Sequence, residues 1–549
     1  MQNYTPVADK NEGKREKFDK YLILTLLLIL FHTIGNAIWI YLNKAPLNWD
    51  PSIHLINTFK YAQYLKEIFT NFNLISFLQI SNYYPIFIYL INIPFIYLFS
   101  ENYKIITFTS SLFFGLSILF LYLYTVQLFK KTNLAFYSAF IFSFFITINQ
   151  SSREFMLDLP LTTLIIISLY YLEKFRQNFK VRNIYLFFLF FSFAQLTKWY
   201  AFIYLLLPII YFVIHFYKSK KGLPIKHIVL NIIMFLLIVS PWYWVNFIIL
   251  FIKSSRAWFG EAVVKPNIFS TDFLLSHLKL LIIFQLNFFG FITLMLSSFL
   301  LIKSKYQRKW EIILVVIFNY LFFTFIPNRN IRYLIPLTPF IAIIMGYGAS
   351  ILIESRKMLI RVFCMAFLAY YVISYLVLTF GIPIRPYYKY AFNFPILSWV
   401  DVYYLSDYPV KLIYDKNIWP HDQILTDINS LSDYKDASFF LCADKYYLNA
   451  DYFNLLILTR KLTNLKISSY YRYEDLPNFL KDFDYIIIPK INVVGEDKNY
   501  VSYKPLTIFQ QYFLSGKAIN FELVKTYILP QSQSLIPDSD ILYLYKKIQ

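Results

Sequence analysis

The sequence predicts a polytopic α-helical membrane protein with a C-terminal α/β domain outside the cytoplasm. Three observations predict it. Of 549 residues, 58% are hydrophobic and only 15% are charged. Soluble domains carry about 25% charged residues, so most of this length needs lipid around it. Apolar runs recur along residues 21–380, many near the ~20 residues that a helix needs to cross a bilayer. Beyond about residue 381, Asp and Glu become frequent and short strand-like and helix-like segments alternate.

Residues 1–20 form a basic leader with Lys10, Lys14, Arg15, Lys17 and Lys20. The first apolar run, Tyr21 to Leu42, is longer than a signal-peptide core, and Ala45-Pro46-Leu47 is a poor cleavage site. It is expected to stay as the first helix, with the N-terminus in the cytoplasm. Residues 43–104 are then one external loop containing the apolar segment Tyr83 to Phe99. Pro85 and Pro94 interrupt that segment, which favours broken or interfacial helices over a clean span.

Further apolar runs lie near 105–129, 134–150, 159–172, 184–197, 201–217, 228–246, 279–302, 311–326, 333–353 and 358–380. With the first helix they make about 11 spans. Alternate gaps hold the basic clusters: Lys130-Lys131, Lys174 to Arg182, His215 to His227, Lys303 to Lys309, and Arg356-Lys357. All of them fall inside, as the positive-inside rule requires, if 83–99 does not cross. A crossing there would put Asp158 on the side opposite Asp50.

Residues 381–549 are expected to form the external α/β domain. Ala437–Cys442, Leu465–Tyr470, Tyr485–Pro489 and Ile541–Tyr545 suit strands, and Asn449–Leu462 and Leu476–Phe483 suit helices. With 11 glycines in the whole chain and no Gly-rich phosphate loop, a nucleotide site is not expected. Cys364 and Cys442 offer neither a disulfide framework nor zinc-ligand spacing. The net charge of +20 is spread over short inter-helix clusters. That distribution orients a protein in the membrane and attracts anionic headgroups; nucleic acid is not an expected partner.

Two carboxylates stand just beyond apolar runs. Asp50 lies in Asn48-Trp49-Asp50-Pro51, and Asp158 in Arg153-Glu154-Phe155-Met156-Leu157-Asp158-Leu159-Pro160. Each suits a helix N-terminus: Pro51 fits a first turn with Asp50 as the N-cap, and Asp158 favours the positive end of a helix dipole. His54 shares a helical face with Asp50. A divalent metal is compatible with such a face, though two ligands are not a site. Lys198, in Leu196-Thr197-Lys198-Trp199-Tyr200, departs from the positive-inside pattern. It either snorkels at the interface or meets a lipid phosphate. Arg329 and Arg332, in Pro327-Asn328-Arg329-Asn330-Ile331-Arg332, have the planar forks that clamp phosphate oxygens. Ser240-Pro241-Trp242-Tyr243-Trp244 suits an interfacial aromatic belt, with sugar stacking as the alternative.

The order of these motifs resembles a known family. An Asp after the first helix, Tyr84-Pro85, Arg153 with Asp158-Leu159, Leu196-Thr197-Lys198, Pro241-Trp242-Tyr243 and Arg332-Tyr333-Leu334 follow one another over residues 20–350. This resembles the GT-C membrane glycosyltransferases, in particular the dolichyl-phosphate-mannose protein mannosyltransferases and aminoarabinose transferases. The resemblance implies a polyprenyl-phosphate sugar donor and a lipid, glycan or protein acceptor on the extracytoplasmic face of a plasma (inner) membrane. It implies Asp50 as general base and Asp158 as its assistant. Lys198, Arg332, Arg329 and Arg153 would lie around the donor phosphate, and Tyr84, His54, Trp242 and Tyr243 against carrier or acceptor. Pro51, Ile86 and Trp199 stand where many members have Glu, a second Pro and Gly. These departures argue against naming the sugar as mannose or aminoarabinose.

The rivals are a lipid-linked oligosaccharide transferase or ligase, and a flippase or transporter. Transporters place their polar groups near the bilayer midplane on repeated, broken helices. Here the informative polar residues gather at one face and no repeat of the apolar pattern is visible.

Overall fold

In the computed structural model the described residues are 19–67, 72–99, 102–219, 224–259, 270–326, 330–380, 414–443, 447–469, 476–490, 509, 511–513, 515–516, 518, 520–530 and 541–548. Residues 1–18 of the basic leader, Arg329 and residues 381–413 lie outside them.

The chain begins with α1 (Lys20–Leu42), α2 (Trp49–Lys66), α3 (Leu74–Gln79) and α4 (Phe87–Phe99). Then come α5 (Tyr103–Phe129), α6 (Thr132–Ser143), α7 (Ile146–Ser151), α8 (Asp158–Asn178), α9 (Val181–Gln195), α10 (Ala201–Ser219) and α11 (Ile225–Phe259). Next, α12 (Thr271–Leu281) runs through a π-helical turn (Ile282–Leu286) into α13 (Asn287–Lys303). After α14 (Lys309–Thr324), a 3₁₀ turn (Ile331–Leu337) leads into α15 (Thr338–Ile353), and α16 (Met358–Phe380) follows.

Among the described residues, five helices are long and apolar enough to cross a membrane: Lys20–Leu42, Tyr103–Phe129, Ile225–Ser255, Ile331–Ile353 and Met358–Leu376. Shorter apolar helices include Phe87–Phe99, Val181–Gln195, Ala201–Tyr217 and Phe289–Lys303. Exposed Leu27, Leu30 and Ile34 on α1, and Leu237, Phe247, Ile248 and Phe251 on α11, present the apolar surface that lipid solvates. Inside, α8 and α15 are buried on nearly every face. Small residues allow this. A Cβ on Gly346 would lie 2.7 Å from the Ser138 backbone nitrogen, and one on Gly348 would lie 2.6 Å from Ser297 Cβ. Close helix approach without bulky side chains is how packing drives association where no hydrophobic effect operates between helices.

Three local expectations need correction. Pro94 does not break the 87–99 segment, which is one continuous helix; proline removes a single N–H, and packed helices tolerate it. At 13 residues, α4 is about 20 Å long, short of a bilayer core. The apolar run at 134–150 is instead split, α6 ending at Ser143 before α7 begins at Ile146. Nor do the carboxylates cap their helices: Asn48 and Leu157 hold the N-cap positions, with Asp50 and Asp158 already inside the first turns.

The C-terminal region holds α17 (His421–Leu431), β1 (Ala437–Leu441), α18 (Ala450–Thr459), β2 (Leu465–Ser468), α19 (Leu476–Leu480), β3 (Tyr485–Pro489), β4 (Phe521–Ile528) and β5 (Ile541–Lys547). The strands form one sheet in the order β2-β1-β3-β5-β4. β1 pairs in parallel with β2 and β3, while β5 runs antiparallel to β3 and β4. The four expected strands are present. β4 escaped notice because its residues are largely exposed and its polar positions break any clean alternation. The sheet and α18 pack on the first loop through one shared core that includes Leu55, Phe59, Phe439 and Phe453. Asn449 Nδ2 donates to the Leu47 carbonyl at 3.1 Å, and Lys44 N donates to the Asp415 carbonyl at 2.6 Å.

Candidate active site

Five separate chain segments converge here. Asp50, in the first turn of α2, forms an ion pair with Arg332 on the 3₁₀ turn. Asn330 sets that arginine. Its side-chain oxygen caps the turn by accepting from Arg332 N at 3.0 Å, and accepts from Arg332 Nε at 3.2 Å. Asp50 and Arg332 are half-buried, and Asp50 lines a cavity of about 450 Å³ together with Asn57, Ser81, Tyr83, Tyr84 and Lys253. Burial opposes the charge on Asp50, but Arg332, with help from His54 and Lys198, outweighs it and holds the carboxyl below its usual range.

One turn along α2, His54 is fully buried, with Nδ1 2.9 Å from the Tyr89 hydroxyl and its ring edge-on to Tyr84 at 4.8 Å. Burial lowers its pKa to about 4, against the pull of Asp50, so it is neutral near pH 7. Tyr84 links the two halves of the site: its ring centroid is 5.9 Å from Lys198 Nζ. Lys198 in turn donates to Asp158 Oδ1 at 2.7 Å, and the Tyr200 hydroxyl donates to the same oxygen at 3.3 Å. Asp158 is fully buried and Lys198 nearly so. Among the described residues, Asp158 Oδ2 has no hydrogen-bond partner.

Trp242 and Tyr243 tie neighbouring segments together. Trp242 Nε1 donates to the Ser81 carbonyl at 3.0 Å, and the Tyr243 hydroxyl donates to the Gln195 carbonyl at 2.8 Å. Helix α11 thus holds the loop bearing Tyr84 and the corner bearing Lys198 in mutual register. Phe87 N, donating to the Leu196 carbonyl at 3.0 Å, joins the same two segments directly.

Arg153 lies in a different environment. It is buried, donating from Nε to Asn36 Oδ1 and from Nη2 to Thr379 Oγ1, both at 2.9 Å. The rings of Trp39 and Tyr375 flank its guanidinium at 5.5 and 5.3 Å. A phosphate would have to displace these contacts; they anchor the α7–α8 corner to α1 and α16 instead. Arg329 lies outside the described residues.

Three residues escaped the sequence reading. Asn330 carried a signal, an Asn two positions before the arginine at a helix start. Tyr200 stands two positions after Lys198. Lys253 had none, being one basic residue near the end of a long apolar helix. It reaches the cavity with Nζ 3.4 Å from Asn82 Oδ1 and 5.3 Å from the Tyr83 ring centroid. No group of three or more metal-ligating side chains occurs among the described residues.

Residues 84–244 match the family model described as dolichyl-phosphate-mannose-protein mannosyltransferase. No curated protein matches the chain by sequence. Among solved structures, ArnT from Cupriavidus metallidurans in the apo state is similar at 13% identity and TM-score 0.54, over 96% of this chain and 98% of that one. The same protein bound to undecaprenyl phosphate is similar at 12% identity and TM-score 0.52, with the same coverage. The matched segment carries Tyr84, Asp158, Lys198 and Trp242. The chain has the GT-C fold that its motifs resemble, with the protein-mannosyltransferase match in its 84–244 segment.

Proposed function

We propose that this chain is a glycosyltransferase that passes a sugar from a polyprenyl-phosphate donor to an acceptor at the extracytoplasmic face. The observation that carries the reading is the Asp50–Arg332 pair, whose carboxylate lines the cavity. It sets an ionised carboxylate beside the cation best suited to a phosphate oxygen. The family match over 84–244 and the ArnT fold support the same reading.

In the proposed reaction Asp50 accepts the proton of the acceptor hydroxyl as its oxygen attacks the anomeric carbon. The bond from that carbon to the phosphate oxygen breaks, and polyprenyl phosphate leaves with the electron pair. Attack opposite the leaving group inverts the anomeric centre. Arg332 turns from Asp50 to the phosphate as negative charge grows there, and Lys198 adds a second positive charge near by. Asp158 keeps Lys198 in place, and its second oxygen can meet a substrate hydroxyl. In this reading about 11 segments span the membrane, the basic clusters lie inside, and the C-terminal domain lies outside.

The test uses purified protein in nanodiscs with a radiolabelled polyprenyl-phosphate sugar and mixed envelope acceptors. Transfer that is lost in Asp50→Asn, with the variant still folded, is the expected result. Movement of the lipid between leaflets or vesicles without transfer would replace this reading with a flippase.

A further inference from the structure

A larger cavity adjoins the one at Asp50. Ile53 and Asn57 line both, and the second, of about 880 Å³, opens between α2 and α18 of the C-terminal domain. One face of α2 forms its floor, with positions 53, 57, 60, 63 and 67 at helical spacing. The opposite wall takes positions 451, 454, 458 and 461 from α18 and the turn after it. From Ile53 to Glu67 the groove runs about 20 Å, at the ~1.5 Å rise of a helix. Asp50 stands at one end.

The lining selects the occupant. Amides (Asn57, Gln63, Asn454), lysines (Lys60, Lys461) and Thr463 supply donors and acceptors side by side. A hydroxyl both donates and accepts, so this mixture matches a polyhydroxylated chain. Isoleucines at 53, 56 and 457 add flat aliphatic contacts, and Tyr83 and Tyr84 provide aromatic faces at the Asp50 end. An extended peptide is ordinarily captured by adding a strand to a sheet edge. Here both walls are helices, whose backbone groups are already bonded.

We propose that the α2–α18 groove seats the acceptor, and that the acceptor is a glycan chain whose terminal hydroxyl reaches Asp50. The proposal rests on the glycosyltransferase reading and names its acceptor. It also gives the C-terminal domain a role: α18 supplies half of the acceptor site.

The test uses full-length protein in nanodiscs with two single-cysteine probes, Asn454→Cys in the groove and Lys466→Cys at an exposed position of β2. The native Cys364 and Cys442 are buried. Cello- and malto-oligosaccharides of two to eight units, a Ser/Thr-rich octapeptide and plain phospholipid vesicles are each added before maleimide labelling. Oligosaccharides are expected to slow labelling at position 454 at least about fivefold and leave 466 unchanged, an effect of micromolar to millimolar binding. Lys60→Glu is expected to raise the acceptor KM roughly five- to tenfold, the loss of about one hydrogen bond.

Protection by the peptide or vesicles and not by oligosaccharide overturns the proposal, as does protection by none of them. Unchanged acceptor KM in Lys60→Glu overturns it too. If wild-type protein neither transfers nor hydrolyses the donor, the glycosyltransferase reading fails. Labelling still reports the groove in that case, so the two failures are distinct.

Discussion

Lys198 Nζ lies 2.7 Å from Asp158 Oδ1, in a corner where the carboxylate is fully buried and the lysine nearly so. Removing one member of such a pair leaves an uncompensated charge, at a cost of about 3–5 kcal/mol. Asp158→Ala is therefore expected to lower the thermal midpoint sharply in detergent. An Asp158→Leu/Lys198→Met double variant should regain much of that stability while staying inactive. Recovered activity in the double variant would show that neither group takes part in transfer.

Asp50 is half-exposed at the cavity, so its loss is a chemical matter more than a structural one. Asp50→Asn is expected to lower kcat by about 10²–10⁴, the usual contribution of a positioned base. Its thermal midpoint should stay close to wild type. Single-turnover transfer from a labelled donor measures the rate, and a wild-type rate would remove Asp50 from the base role.

The pH dependence follows from the same pair. A base must be ionised, and Arg332 helps hold the Asp50 carboxyl below its usual range against the effect of burial. The acid limb of kcat/KM should therefore lie below the ordinary carboxylate range. In Arg332→Gln it should move to higher pH, because the ionised form loses its main support. Stability has the same sign: the depressed carboxyl stabilises the fold above its unfolded pKa, and that contribution fades as pH falls through the folded value. His54, held at about 4, should add no inflection between pH 5 and 8. An acid limb unmoved in Arg332→Gln would contradict the coupling.

Arg332 and Arg153 should separate kinetically. Arg332→Ala is expected to raise the donor KM, since the half-buried guanidinium paired with Asp50 is lost. Arg153→Ala should instead cost roughly 2–4 kcal/mol of stability, from two charged hydrogen bonds and two ring contacts. Its donor KM should stay near wild type in the protein that folds. A selective loss of donor affinity in Arg153→Ala would restore it to the phosphate site.

The parts of the site that were legible in the sequence were those that break a local rule. Asp50, Asp158, Lys198 and Arg332 are charges beside apolar runs, and such charges are rare without a partner. Their partners were less visible. Asn330 and Tyr200 are ordinary polar residues whose roles depend on segments far away in the chain. The placement of Arg153 shows the limit in reverse: a cation near Asp158 in sequence turned out to face α1 and α16.

By itself, the sequence determined that the chain needs lipid, where most of its helices and four of its strands lie, and which charges are out of place. Hydrophobic length and strand alternation are local properties, so composition along the chain reports them. Only the tertiary structure decided how those charges pair. Asp50 meets Arg332 and Asp158 meets Lys198 because segments separated by up to 282 positions are brought together. It also decided that α18 lies against α2 and walls a second cavity beside the one at Asp50. No periodicity records that contact, since packing between distant segments depends on shape and burial in three dimensions.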